Sequence, residues 1–159
     1  MQSIAINVEK KSIMSTKNLI YVAGPTGVGK TKLSLELAKR FDTEIISCDS
    51  RQFYKEMEIG TAVPTAKELK EVKHHFIQHK SIQEVYTVSD FEKEAIKKLD
   101  TLFKKKDTVI MVGGSGMYAD AVIFGMDEFP EIPEETRNQI NVFHQTHGLK
   151  GLQELLREK

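Results

Sequence analysis

Cysteine is nearly missing from this chain: Cys48 is the only one among 159 residues. No intrachain disulfide can form and no cysteine-based metal cluster can assemble, a usage that suits a reducing compartment. Net charge is missing as well, because 23 Lys and Arg balance 23 Asp and Glu. No global field therefore draws in a polyanion, and any nucleic acid must be met locally. No apolar run is long enough to span a bilayer, and the opening MQSIAINVEKKSIMSTK lacks the basic stretch and apolar core of a secretory signal. The expectation is a cytoplasmic protein with no membrane contact. Internal repeats are absent too, and no segment points to a protein partner.

What is present is enough apolar sequence, 40% of the chain, for one real core. Three short apolar runs, Leu19 to Ala23, Glu44 to Cys48 and Thr108 to Val112, read as strands buried on both faces. Between the first two, TKLSLELAKRF places Leu33, Leu37, Ala38 and Phe41 at helical spacing. Ser89 to Lys106 is the clearest helix, with a stripe of Phe91, Ala95, Leu99 and Leu102, a capping-box spacing at Ser89 and Glu92, and a basic end that complements the helix dipole. Alternating strands and helices imply an α/β fold, a P-loop type parallel sheet flanked by helices, with ligands at the C-terminal strand ends.

Three regions are expected. Residues 1–17 read as a flexible N-terminal tail and 18–126 as the α/β core. In 127–159 a proline-rich acidic linker, DEFPEIPEE, leads into a helix opened by Pro133 and closed by Gly148, with a second helix from about Leu152. Two amphipathic helices appended to one α/β unit have little to pack against, so the third region reads as the start of a helical insertion and the chain as part of a longer protein.

The strongest chemical signal is GPTGVGKT, running Gly24, Pro25, Thr26, Gly27, Val28, Gly29, Lys30 and Thr31. It fits G-x-x-x-x-G-K-[ST] at every fixed position, after a strand and before a helix. Such a loop turns its amide hydrogens inward on phosphate, with the helix N-terminus adding partial positive charge. Lys30 supplies a point charge, and Thr31 a hydroxyl for Mg²⁺. The reaction stays open, since a cradle for two phosphates serves ATP hydrolysis, phosphoryl transfer or expulsion of diphosphate. The strand VIMV ends in Gly113 and Gly114 where an ordinary NTPase carries an Asp, and the acid placed in that way is Asp49, after EIISC. On the residues alone Asp49 is equally a magnesium ligand or a general base.

The order GPTGVGKT, DSRQFY with EMEIGTAVP, HHFIQ and VGGSGMY resembles the tRNA dimethylallyltransferase family, whose members typically read GPTxxGKT, DSxQxY with GMDIGTAKP, HHLID and VGGTGLY. The likeness runs from about Asn18 through the helix containing Arg137. It implies transfer of a dimethylallyl group from dimethylallyl diphosphate to the exocyclic amine of an adenosine beside the tRNA anticodon. It further implies that Asp49 is the general base, that Asp49, Ser50, Arg51 and Gln52 meet the tRNA, and that Ser115, which matches the threonine of VGGTGLY, and Arg137 are further tRNA contacts. ATP is commonly assigned to this loop because of its motif, an inherited label. Family members run to about twice this length.

Three positions depart from the family pattern: Gln78 stands where HHLID carries an acid, Ser115 replaces threonine and Glu58 replaces aspartate. The chemistry implied is coherent. An adenine amine is a poor nucleophile, so a carboxylate must take its proton as the C–N bond forms. The departing diphosphate builds charge that Lys30, the loop amides and Mg²⁺ held through Thr31 stabilise. A single-stranded anticodon loop makes extrusion of the base inexpensive. Two other classes compete: a nucleotide or small-molecule kinase, which would carry an arginine-rich lid that residues 60–107 lack, and a binding module without turnover. The bland alternatives are a core role for Cys48, no zinc at His74, His75, His79, His144 or His147, and a solvated face for the lysines from Lys97 to Lys106.

Overall fold

The computed structural model describes residues 16–127, 130 and 132–158. Most of the expected tail, residues 1–15, lies outside them, as do residues 128, 129 and 131 of the linker. Lys17, at the end of the expected tail, is tied down: its ammonium donates to Asp107 Oδ1 at 2.7 Å and to the Lys106 carbonyl at 3.2 Å. Among the described residues no helix is long and apolar enough to cross a membrane. The chain divides into two compact units, one ending at Met126 and the other beginning at Asp127.

The first unit is a four-stranded, all-parallel sheet in the order β1-β4-β2-β3. Its strands are β1 (Asn18–Ala23), β2 (Ile45–Ser47), β3 (His74–His75) and β4 (Thr108–Gly113). Helices α1 (Lys30–Arg40), α2 (Ala66–Glu71), α3 (Val88–Phe103) and α4 (Gly116–Phe124) connect and flank them. Side chains alternate across a strand. Ile45 and Ile110 accordingly join Val22, Leu35, Ala38 and Val72 on one face, while Ile46, Val109 and Met111 join Phe53, Phe91, Leu99 and Leu102 on the other. Central β4 is therefore apolar without a break from Val109 to Val112. β1 departs from expectation: it pairs only with β4, and Leu19, Ile20 and Tyr21 are half-buried while Ala23 is exposed. Its place at the sheet edge, not its composition, decides this.

Two helix details also differ. In α1 the buried side chains are Ser34, Leu35 and Ala38, whereas Leu33 and Phe41 are exposed. The Ser34 hydroxyl donates to the Thr31 carbonyl at 2.9 Å, so a small polar residue can face the sheet satisfied and the apolar stripe turns with it. In α3 the stripe of Phe91, Ala95, Leu99 and Leu102 is buried as its spacing predicts. Its cap, however, is Thr87 with Asp90 in place of Ser89 with Glu92: Thr87 Oγ1 accepts from the Asp90 amide at 3.2 Å, and Asp90 Oδ2 accepts from the Thr87 amide at 2.9 Å. The helix ends at Phe103, so the lysines at 104–106 follow its last turn.

The second unit is built on α5 (Glu134–Arg157), with Pro133 at its N-cap. The helical path breaks at Gly148, whose φ of 66° and ψ of −171° lie outside helical space. Phe143 and His147, one turn apart, stack with ring centroids 4.3 Å apart.

Candidate functional site

The loop from Gly24 to Thr31 joins the C-terminal end of β1 to α1. Gly24, Gly27 and Gly29 have φ of 148°, 85° and 96°, a backbone path that L side chains rarely follow. Gly29 is the N-cap of α1 and brings no side-chain bond, so the first-turn amides are left for a ligand. Lys30 Nζ donates to the Pro25 carbonyl at 2.8 Å, which folds its charge back over the loop. Pro25, Thr26 and Val28 are exposed.

Strands β2 and β4 bring the second half of the site to the same edge. A Cβ on Gly113 would lie 2.6 Å from both the carbonyl carbon and Sγ of Cys48, so the strands meet here with no room for a side chain. Cys48 is a core residue, its thiol pushed up to about 12, first by burial. Asp49 follows it and turns outward. Its Oδ1 accepts from the Arg51 amide at 3.1 Å, an Asx-type turn that orients the carboxylate. A Cβ on Gly114 would be 3.8 Å from Asp49 Oδ2 and 3.6 Å from the Gly24 carbonyl oxygen. The absence of a side chain at Gly114 therefore keeps the space between carboxylate and loop open. The Ser115 hydroxyl, at the head of α4, accepts from the Ser50 amide at 3.0 Å and donates to the Ser50 hydroxyl at 3.1 Å, tying the two strand ends together.

These parts enclose a crevice of about 310 Å³ whose wall includes Thr26, Gly27, Gly29, Lys30, Thr31, Asp49 and Gln52. The one lining presents amides, an ammonium and a carboxylate together. The crevice can thus hold an anionic group and deprotonate a neutral one beside it. Its oxygen donors, the Thr31 hydroxyl and the Asp49 carboxylate, suit a hard cation that keeps most of its ligands from water and phosphate. Among the described residues no group of three or more His, Cys, Asp and Glu could hold a metal. A cation here would accordingly depend on its ligand.

Of the other residues singled out by sequence, Arg51 is exposed, and Gln52 turns its amide onto Thr61, Ala62 and Ser47. Arg137 lies in the second unit, beside a hollow it shares with Ile132 and Ile140. Gln78, the departure at the HHFIQ segment, has φ of 46° and donates its amide to the Gln52 carbonyl at 2.8 Å, a main-chain contact indifferent to its side chain.

Thr61, Ala62, Pro64, Glu68, His74 and Ile77 also line the crevice, and sequence reasoning gave none of them a place there. The signal was available in GTAVP and HHFIQ but carried no chemistry by itself. His74 shares its Nδ1 with the Val72 carbonyl at 2.9 Å, while its Nε2 is buried without a partner. Burial is the main cause lowering its pKa, with the Val72 carbonyl and Glu68 opposing. His79 is enclosed by the rings of Phe53, Phe76 and Tyr86, and its pKa too is lowered, chiefly by burial. The His75 ring meets the carboxylate of Glu44, the residue before β2.

Residues 52–159 match the family model described as IPP transferase. Over 140 residues the chain is 59% identical to the tRNA dimethylallyltransferase of Flavobacterium psychrophilum, covering 88% of this chain and 46% of that protein. The full-length tRNA isopentenylpyrophosphate transferase of Bacillus halodurans superposes with a TM-score of 0.68 at 37% identity, covering 90% of this chain and 48% of that one. A eukaryotic dimethylallyltransferase caught acting on tRNA superposes with a TM-score of 0.66 at 30% identity, over 76% of this chain and 31% of its own. The chain spans about half the length of the curated relatives it matches.

Proposed function

The chain belongs to the IPP transferase family, and from that premise we propose that it is the catalytic part of a cytoplasmic tRNA prenyltransferase, moving a dimethylallyl group from dimethylallyl diphosphate to the N6 amine of an adenosine next to the anticodon. One observation carries the reading: the Asp49 carboxylate faces the crevice that the phosphate-type loop also lines, with Gly114 leaving the space between them clear.

In this reading the loop from Gly24 to Thr31 grips the diphosphate through its amides, and Lys30 leaves the Pro25 carbonyl to pair with it. Mg²⁺ fits the oxygen donors present; Thr31 would hold it, and it would supply charge neutralisation on the diphosphate. The bond between the allylic carbon and the bridging oxygen breaks, its electron pair leaving with the diphosphate. A bond forms from the adenine amine to that carbon, and Asp49 takes the amine proton. Ser50 and Ser115 hold the strand ends on which Asp49 is mounted. Arg51 and Arg137 are exposed cations available to RNA phosphate. A loop of this kind also accommodates ATP, but what supports the prenyl reading is the family and the position of Asp49.

The test pairs labelled dimethylallyl diphosphate, Mg²⁺ and an anticodon stem-loop with the protein, and in parallel labelled ATP with nucleotide acceptors. Prenylated RNA is expected. Phosphoryl transfer in its place would identify a kinase, and binding without product a non-catalytic module. Asp49→Asn should abolish transfer while donor affinity stays within about twofold; joint loss of both would remove the base from the mechanism.

A further inference from the structure

The resemblance assigns Gln52 to the RNA, yet its side chain is engaged elsewhere. Its Nε2 donates to the carbonyls of Thr61 and Ala62, each at 3.0 Å. Its Oε1 accepts from the Ser47 hydroxyl at 3.3 Å. An amide nitrogen has two hydrogens, and both are used. The main chain of the same residue is committed as well: its amide donates to the Asp49 carbonyl at 3.0 Å and its carbonyl accepts from the Gln78 amide at 2.8 Å.

We propose that Gln52 is a positioning residue, a clasp that fastens the 57–64 loop to the end of β2 and thereby sets the part of the crevice wall that Thr61, Ala62 and Pro64 form. This rests on the prenyl-transfer reading only for what the crevice holds. Thr61, Ala62 and Pro64 line the crevice together with Lys30, Thr31 and Asp49. The loop needs an external tie, because Ala62 is held at φ 51°, a left-handed conformation unfavourable for a residue with a Cβ, and the loop tip at Ile59 is 98% exposed. Within the loop, Thr61 Oγ1 bonds only to its own segment, at the Met57 and Glu58 carbonyls. Through Gln52, by contrast, the loop joins Ser47 of β2 and the turn that carries Asp49. Glutamine suits the role by length and by chemistry. Asparagine is one methylene shorter, and glutamate at neutral pH turns a carboxylate on two carbonyl oxygens.

The experiment measures amide hydrogen exchange across residues 57–64 in the RNA-free protein, together with kcat and the RNA dissociation constant, for wild type, Gln52→Glu and Gln52→Met. Both substitutions keep the volume and remove the donors. The clasp predicts exchange of the loop amides faster by about tenfold or more. It also predicts a fall in kcat with an RNA dissociation constant within about threefold of wild type. Unchanged loop exchange combined with a specific loss of RNA affinity would overturn it and make Gln52 a direct RNA contact. Should wild type transfer no prenyl group at all, the prenyl reading fails while the exchange measurement still decides the clasp. If one variant does not fold, the other decides alone.

Discussion

Gly113→Ala is a substitution whose outcome the geometry constrains tightly. The added Cβ would lie 2.6 Å from the Cys48 carbonyl carbon, 2.6 Å from its Sγ and 2.7 Å from its carbonyl oxygen. Carbon atoms pack comfortably at about 3.5–4.0 Å, so β2 and β4 must part by roughly 1 Å. Two of the three atoms are backbone and have no rotamer to escape into. Forced overpacking of this kind costs about 1–3 kcal/mol. The bond from the Cys48 amide to the Val112 carbonyl, 2.8 Å long, weakens as well, adding about 1 kcal/mol. A total near 3 kcal/mol would lower the melting temperature of a chain this size by roughly 6–12 °C. Urea denaturation and thermal melts followed by circular dichroism measure it. Combining the change with Cys48→Ala removes the Sγ contact but not the backbone contacts, so the double variant must remain destabilised. A Gly113→Ala protein within about 0.5 kcal/mol of wild type would refute the reasoning. Asp49 adjoins Cys48, so the same displacement should carry the carboxylate out of register.

Three further outcomes are expected. Lys30→Ala should raise the dimethylallyl diphosphate dissociation constant by about 10- to 100-fold, as loss of a charge-assisted contact implies, and isothermal titration checks it. Thr87→Ala removes the hydroxyl that caps α3 and should cost about 1 kcal/mol in denaturant melts, whereas Ser89→Ala should be nearly silent. Stability should also fall on acidification. His74 and His79 are held neutral by burial, below the ordinary 6.5. Between that value and their lowered native ones the unfolded chain binds more protons, so their contribution is complete above pH 6.5 and is lost as pH falls below it. Melts from pH 8 to 5 read this; the combined variant His74→Phe with His79→Phe should show a shallower acid limb.

The legible parts of the fold were those where one local rule acted alone. The α3 stripe was readable because four apolar positions at helical spacing meet one sheet face. The β4 run was readable because a central parallel strand is apolar on both sides. The phosphate-type loop announced itself because glycines, Lys30 and Thr31 are constrained by backbone shape. Sequence misplaced what depends on neighbours. The α1 stripe turned because Ser34 satisfies its hydroxyl on the helix itself. The cap of α3 fell two residues early because Thr87 and Asp90 form the same reciprocal pair as the expected one. Helix α2 was overlooked although Thr65 and Glu68 carry a capping box, since six residues offer too little periodicity. Strand β3 has two residues and no pattern at all. Within the crevice, Asp49 could be singled out by its place after a strand, while His74 sits on a two-residue strand and Thr61 to Pro64 on a loop, neither with a repeating spacing.

The lone thiol, sealed between β2 and β4, makes the molecule its own sensor. A maleimide or disulfide reagent cannot reach Cys48 while the strands are closed, and no second cysteine competes for it. Its labelling rate therefore counts the excursions in which the floor beneath the carboxylate comes apart. A ligand that seals this edge should slow the reaction in proportion to its occupancy, so binding can be followed without substituting a single residue.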